Sequence, residues 1–500
     1  DKLRWIPLTF SRVQKLTAGG SEMGVRTREA YIESLRRQKP NVYTDGERID
    51  NLVDHPAFRT GINSAAVTYD LSNDPKHLDL SRVRSPIIGE EISRWTHIMQ
   101  DEQDAIAKTK LMAALGDYLC PCPYRCITGD VLAAAFAVSY EIDKNHKTSY
   151  HQNVLEILKE AQKNDWIIGG GLISPKGDRS KGVTGQSDPD MYLHVVEKNA
   201  KGIVVKGAKA HSTAAPYTNM LCIEEMELVP EYFVGFFTPL DAEGITFICK
   251  APHAPEKPKE LENPLSSRFG GHVESMIVFD NVFVPWDRVF MCGEMEGVAT
   301  FGTILGASHM WHKCMCRWAN MDLSIGATAL VADFNGVGSA PHIVDALCEM
   351  AIDAEILRSC AVAAAVEGWR HESGVYAPRL APAAAGKVFA AKKLGEDRYY
   401  MQDAAGGLVA TMASERDYLS PTVGKLLEKY YKGRDGVPTV DRVRAFKLIE
   451  DLTASEFAGW YHAMCISGGG ASQTYKAVVA MEYGLERCKA KAKRAAGITQ

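Results

Sequence analysis

Two histidines and two cysteines fall within residues 309–316, in the run SHMWHKCMCR: His309, His312, Cys314 and Cys316. Three more cysteines, Cys120, Cys122 and Cys126, stand in LCPCPYRCITGD. Thiolates and imidazole are the ligand set for zinc, copper and iron–sulfur centres. On a helix, residues at i, i+4 and i+7 share a face. Cys122-x3-Cys126 and His309-x6-Cys316 therefore each have the spacing to aim two ligands at one target, and together could supply four to one metal centre. Burial competes with this reading, because free cysteine is among the most buried residue types and packs as a small hydrophobe. Spacing does not choose between zinc and iron–sulfur. It also leaves Cys120, His312 and Cys314 as competing ligands.

These residues need elements to position them, and the pattern along the chain predicts helices, then strands, then helices. TREAYIESLRR opens the first block as a helix capped by Thr27. NVYTDGERID predicts a turn or hairpin at Asp45-Gly46. Residues 63–71 predict a short helix and 85–119 a long amphipathic one. The Cys-Pro-Cys-Pro run breaks the regularity, and Pro123 starts a new helix with Cys122 and Cys126 in its first turn. A helix over 150–164 closes the block. From 165 the segments WIIGGGLIS, YLHVVEK, GIVVKGAKAHST, YFVGFFTPL, GITFICKA and ESMIVFDNVFVP are short, β-branched and aromatic, which predicts strands. From 294 onward, alanine-rich segments have the composition of bundle helices. The expected division is a leader at 1–22, a helical domain at 23–164, a β domain at 165–293 and a helical bundle at 294–500. The leader ends in Gly-Gly-Ser-Glu and is set aside from fold reasoning.

Composition narrows the function classes. A chain of 500 residues exceeds one ordinary core, so two or three subdomains are expected. The net charge of -5 argues against a nucleic-acid surface, which needs a basic stripe. No apolar run reaches membrane-spanning length. Twelve cysteines are too sparse for a disulfide scaffold and fit a reducing, cytoplasmic setting. No G-x-G-x-x-G follows a strand and no P-loop is present, so any nucleotide cofactor is held in another way.

Several phrases together resemble the 4-hydroxybutyryl-CoA dehydratase family, within the wider group containing 4-hydroxyphenylacetate 3-monooxygenase. They are YIESLR, VDHPAFR, CPYRC, YEIDKNHKTSYHQN, SPKGDRS, EKNAKGIVVKGAKAHST, ESMIVFDNVFVPWDRVF, His309-x6-Cys316 and DAAGGLVATMASE. The similarity runs from about Thr27 to the C-terminus. It implies an α+β, mainly α, acyl-CoA dehydrogenase-like fold: a helical domain, a β domain and a four-helix bundle domain, assembled as a homotetramer. It implies FAD and one [4Fe-4S] cluster, with the ligands falling on Cys122, Cys126, His309 and Cys316. FAD contacts fall on Ser174, Pro175, Lys176, Gly177, Asp178, Arg179, Ser180 and Lys181, and on His211, Ser212 and Thr213. Gly406 and Gly407 fall where the backbone approaches the FAD of a neighbouring subunit. An ordinary polar turn at 174–181 and a helix C-cap at Gly406-Gly407 are the plain alternatives.

The implied reaction is radical dehydration of a hydroxyacyl-CoA to an enoyl-CoA such as crotonyl-CoA, with vinylacetyl-CoA isomerisation as a companion activity. A base takes the α-proton, FAD accepts one electron, and cluster iron acts as Lewis acid on the departing hydroxide. Glu274 and His309 match family residues near the reacting atoms. Two positions depart: the family tyrosine four residues after the ligand histidine is Lys313 here, and the family glutamate of a late helix falls on Met464. Lys313 thus becomes a candidate proton-transfer residue. The departures leave open an altered substrate or reaction on the same scaffold, a flavin-dependent aromatic monooxygenase, or a non-catalytic paralogue.

Overall fold

A computed structural model describes residues 24–250, 259 and 261–498; the expected leader at 1–22 lies outside them. Helices predominate at both ends of the described chain, and most strands lie between them, so the class is α+β with helix in excess. Thr27 caps Arg28–Arg37 by accepting from the Ala30 amide. Val42–Thr44 and Glu47–Arg48 form the expected hairpin, turned at Asp45 and Gly46, both at positive φ.

That first hairpin belongs to the β region rather than to the helices around it. Val42–Thr44 pairs in parallel with Ile245–Lys250, so the six-stranded sheet runs Glu47–Arg48, Val42–Thr44, Ile245–Lys250, Glu274–Pro285, Gly202–Thr213, His194–Asn199. A four-stranded sheet runs Val289–Cys292, Phe233–Thr238, Met220–Met226, Ile168–Gly171. Two of these strands, Met220–Met226 and Val289–Cys292, were not among the segments predicted. One apolar core joins the early helices to both sheets, through Phe58, Tyr69, Val131, Leu158, Phe236 and Phe279.

The prediction of one long helix over 85–119 is wrong. Arg82–Arg84 and Glu91–Ser93 form a small antiparallel pair, and the helix begins only at Glu102, where Asp101 accepts from the Asp104 amide. Trp95 and Ile98 owe their burial to neighbouring elements, not to a helical face. Tertiary packing overrides the local apolar pattern there.

The centre of the helical part is Val298–Phe334. It packs on Cys126–Asn145, Glu102–Ala114, Pro341–Val366, Leu380–Ala405 and Thr439–Thr453. Among the described residues no helix is long and apolar enough to cross a membrane.

Candidate active site

The packing of Cys126–Asn145 against Val298–Phe334 brings the two cysteine clusters together. His309, Lys313 and Cys316 share one face of the long helix, at i, i+4 and i+7. Cys126 is the first residue of its helix, and its Sγ donates to the Tyr124 carbonyl at 3.5 Å. The neighbouring Cys316 thiol, and then burial, push the Cys126 thiol up. Cys122 is charge-coupled to Cys126 and Lys313, and burial pushes it up to about 12. It does not share the helix with Cys126, as spacing suggested, because Tyr124 turns the chain at φ 60 and the helix starts after it.

Buried partners hold that turn. Arg125 is 0% exposed, pairs with the Asp165 carboxylate, and lies over the Tyr69 ring at 4.1 Å. His272 Nε2 donates to the Cys122 carbonyl at 2.8 Å, and its Nδ1 accepts from the Tyr217 hydroxyl at 2.8 Å. Burial lowers the His272 pKa to about 4, so the ring is neutral at physiological pH and keeps this tautomer. The other two cysteines of these clusters also have carbonyl partners. Cys120 Sγ donates to the Ser64 carbonyl at 3.5 Å and Cys314 Sγ to that of Ala383 at 3.4 Å.

The imidazoles have one shared partner. Asp130, 1% exposed, takes His309 Nδ1 on Oδ2 at 3.1 Å and His312 Nδ1 on Oδ1 at 2.9 Å. Burial pushes the Asp130 carboxyl up, but His312 and His309 outweigh it and hold the group well below the usual carboxylate range. His309, with Nδ1 engaged, is left with Nε2 as its free nitrogen. Gly469 closes over it: at φ +77, a Cβ there would lie 2.7 Å from His309 Cδ2. Sequence reading passed over Asp130, although it stands one turn after Cys126 on the same helix face.

Glu274 starts the strand Glu274–Pro285 and is in register with Thr213 at the end of Gly202–Thr213. Thr213 Oγ1 donates to it at 2.8 Å and Trp460 Nε1 at 3.0 Å. Burial raises its pKa to about 7, partly offset by those donors and by Lys313. Burial lowers Lys313, and nearby Cys122, Cys465, Cys316 and Cys126 shift it the other way, for a net rise. Cys465 was absent from the sequence reading; it reaches this region from Glu456–Ser467. Met464 lies on the same helix, and its carbonyl accepts from the Gly468 amide at 2.9 Å.

The flavin candidates form a second group. Residues 176–181 make an exposed loop. Ser174 precedes it with its hydroxyl spent on Glu225 at 2.6 Å, and Lys209, 0% exposed, holds Glu225 at 3.0 Å. His211 is exposed at φ 55, and Ser212 is buried with its Oγ unpartnered. Thr213, through Glu274, links this group to the cysteines. Gly406 caps the helix Leu380–Ala405 at φ 69, with open space around it and Gly407. That pair is not brought to the cysteines within this chain.

Among the described residues no three Cys, His, Asp or Glu side chains stand close enough to hold a single metal ion. A four-iron cluster asks for something different, since each ligand binds a different iron and the ligands stand further apart.

Family models describing 4-hydroxyphenylacetate 3-hydroxylase match residues 27–291 (N-terminal part) and 298–497 (C-terminal part). The chain is 36% identical over 487 residues to a 4-hydroxybutyryl-CoA dehydratase/vinylacetyl-CoA-Δ-isomerase of Clostridium aminobutyricum, covering 94% of this chain and 99% of that one. An oxygen-tolerant archaeal 4-hydroxybutyryl-CoA dehydratase from N. maritimus superposes with TM-score 0.90 at 34% identity, over 95% of this chain and 96% of that one. The oxygenase component of 4-hydroxyphenylacetate 3-monooxygenase complexed with FAD superposes at 0.83 with 24% identity, over 95% and 100%, a likeness of fold.

Proposed function

Because the chain belongs to the 4-hydroxybutyryl-CoA dehydratase family, we propose that it dehydrates a hydroxyacyl-CoA of the 4-hydroxybutyryl type, using FAD and a [4Fe-4S] cluster. The observation that supports the reading is the packing of the helix that Cys126 opens against the helix that carries His309 and Cys316 on one face, with His309 Nδ1 held by a buried carboxylate. Carboxylate–imidazole pairs of this kind orient metal-bound histidines. The donor set, three thiols and one imidazole, is of the kind such a cluster takes. When bound, flavin supplies one-electron chemistry and iron supplies Lewis acidity toward a hydroxyl.

The chain's own residues handle the protons. Glu274, with a pKa of about 7, is poised to take or return one at neutral pH. Thr213 and Trp460 orient its two oxygens. Burial lowers the His309 pKa, and with Nδ1 on Asp130 its Nε2 remains available. Lys313 is an ammonium and so donates or stabilises charge; it does not serve as a base. The flavin contacts we assign are backbone and side-chain groups of 174–181 and His211, Ser212 and Thr213; the buried, unspent Ser212 hydroxyl supports this. Gly406 and Gly407 face open space that a neighbouring subunit's cofactor could use.

The same reading covers a helical, β and bundle division of acyl-CoA dehydrogenase type, a cytoplasmic setting and a homotetramer. Exposed Val344, Ile352, Ile356, Val362 and Val366 on Pro341–Val366 favour assembly. Protein purified without oxygen should carry about four irons and one flavin per chain, as such a site requires. It should also convert 4-hydroxybutyryl-CoA to crotonyl-CoA. Full flavin with no iron would end the dehydratase reading and favour an aromatic monooxygenase.

A further inference from the structure

Two lysines border the cysteine site without a carboxylate of their own. Lys108 is 2% exposed, and its Nζ stands 6.0 Å from the Trp95 ring. A Cβ at Gly129 would lie 2.8 Å from Lys108 Nζ, which sets the ammonium against the helix turn that follows Cys126. Burial lowers the Lys108 pKa, offset in part by nearby Asp130 and Cys126. Lys313 sits on the opposite helix between His309 and Cys316, with Cys122, Cys126, Cys316 and Cys465 as its charge partners. A Cβ at Gly468 would lie 2.8 Å from Lys313 Nζ, so the loop before Gly469 covers it. Among the described residues neither lysine has a salt bridge within 4.0 Å, whereas buried Lys209 has one with Glu225.

An ammonium taken out of water needs a compensating anion nearby. Asp130 is already shared by two imidazoles, and Glu274, raised to about 7, is only partly ionised at neutral pH and is held by Thr213 and Trp460. Neutral thiols do not compensate two cations. An iron–sulfur core held by three thiolates does, since it is anionic and becomes more so on accepting an electron. Net charge around such a core is one of the terms that set its reduction potential.

We propose that Lys108 and Lys313 are the fixed counter-ions of an anionic iron–sulfur centre at Cys122, Cys126, His309 and Cys316, and that their charges raise its reduction potential. This rests on the cluster reading above. Both lysines act through the centre's electrostatics and are positioned outside its coordination.

The test uses the full chain purified without oxygen, as wild type and as Lys313→Met, Lys313→Arg and Lys108→Met. Iron and sulfide are assayed, then the centre is titrated with mediators and followed by electron paramagnetic resonance. Each methionine variant should favour the oxidised centre at least tenfold, about 59 mV for one electron, while Lys313→Arg stays with wild type. Loss of iron in Lys313→Met with retention in Lys313→Arg would equally show that charge holds the centre. Wild type without iron would bring down the cluster reading itself. Full iron with all four potentials alike would overturn the counter-ion inference and leave that reading standing. Iron loss in both Lys313 variants would show that side-chain shape matters instead of charge, and would also overturn it.

Discussion

Replacing Asp130 with asparagine isolates the contribution of one carboxylate. In the native site its two oxygens each serve one imidazole, at 3.1 and 2.9 Å, with the side chain 1% exposed. Asparagine keeps one accepting oxygen and turns an N–H2 group toward the other ring, so one of the two bonds becomes donor against donor. Hydrogen bonds to a charged partner contribute about 1.5–3 kcal/mol, and the expected loss of stability is about that of one such bond. His312 Nδ1 also donates to the Ser308 carbonyl at 2.9 Å, so His312 can release the remaining amide oxygen to His309 or compete for it. If His309 loses its partner, its ring no longer has a fixed tautomer. Loss of such an outer partner lowers metal affinity about 10–100-fold. Two readouts separate these effects: the denaturant midpoint, and the rate of iron release to a chelator without oxygen. The pH dependence has a definite sign. The folded carboxyl is held below its unfolded value, so its stabilisation is present above about pH 3.9 and is lost as pH falls. The gap between variant and wild type should therefore close in acid. A variant within about 0.5 kcal/mol of wild type, with unchanged iron release, would refute the role given to Asp130.

Glu274→Gln should remove the ionisation near pH 7 from the rate profile and lower turnover about 10²–10⁴-fold, the usual range for a general acid–base group. A surviving inflection near 7 would assign it elsewhere. Lys209→Met strands Glu225 in the interior; breaking a buried pair costs about 3–5 kcal/mol, measured by urea unfolding, and flavin affinity should fall as Ser174 loses its anchor. Gly469→Ala puts a side chain at φ +77 and 2.7 Å from His309 Cδ2. Strain of that kind costs about 1–3 kcal/mol, and iron should be lost more readily from the purified protein.

Local chemistry was readable wherever the chain needs only itself. The Thr27 cap and the Asp45-Gly46 turn are one-residue and two-residue devices, and both stand in the structure as expected. The failure at 85–119 has the opposite origin: Trp95 is buried by residues such as Trp311, far along the chain, so its spacing mimics an amphipathic helix without forming one. Pairing across the sheets was unreadable for the same reason. Nothing within 42–44 announces that its parallel partner is 245–250.

The site follows that division. Residue type marked the cysteines and His309, because few other jobs call for so many soft ligands in so short a run. Spacing, however, misplaced Cys122 on a helix, since the chain turns at Tyr124, at positive φ, before the helix begins at Cys126. The groups that orient the ligands were invisible for a related reason. Asp130, His272 and Tyr217 are ordinary residues in sequence and acquire their roles only by what touches them. A ligand set can thus be proposed from composition and spacing, but its charge state cannot. On the reading proposed above that state would be set by Asp130, Lys108 and Lys313, which come from three separate helices. The departure at Lys313 gains a physical meaning in this light. On a helix face between an imidazole and a thiol, a lysine adds a full positive charge where tyrosine would add none. The adjustment that distinguishes this chain is therefore expected in the electrostatics of its centre more than in the identity of its ligands.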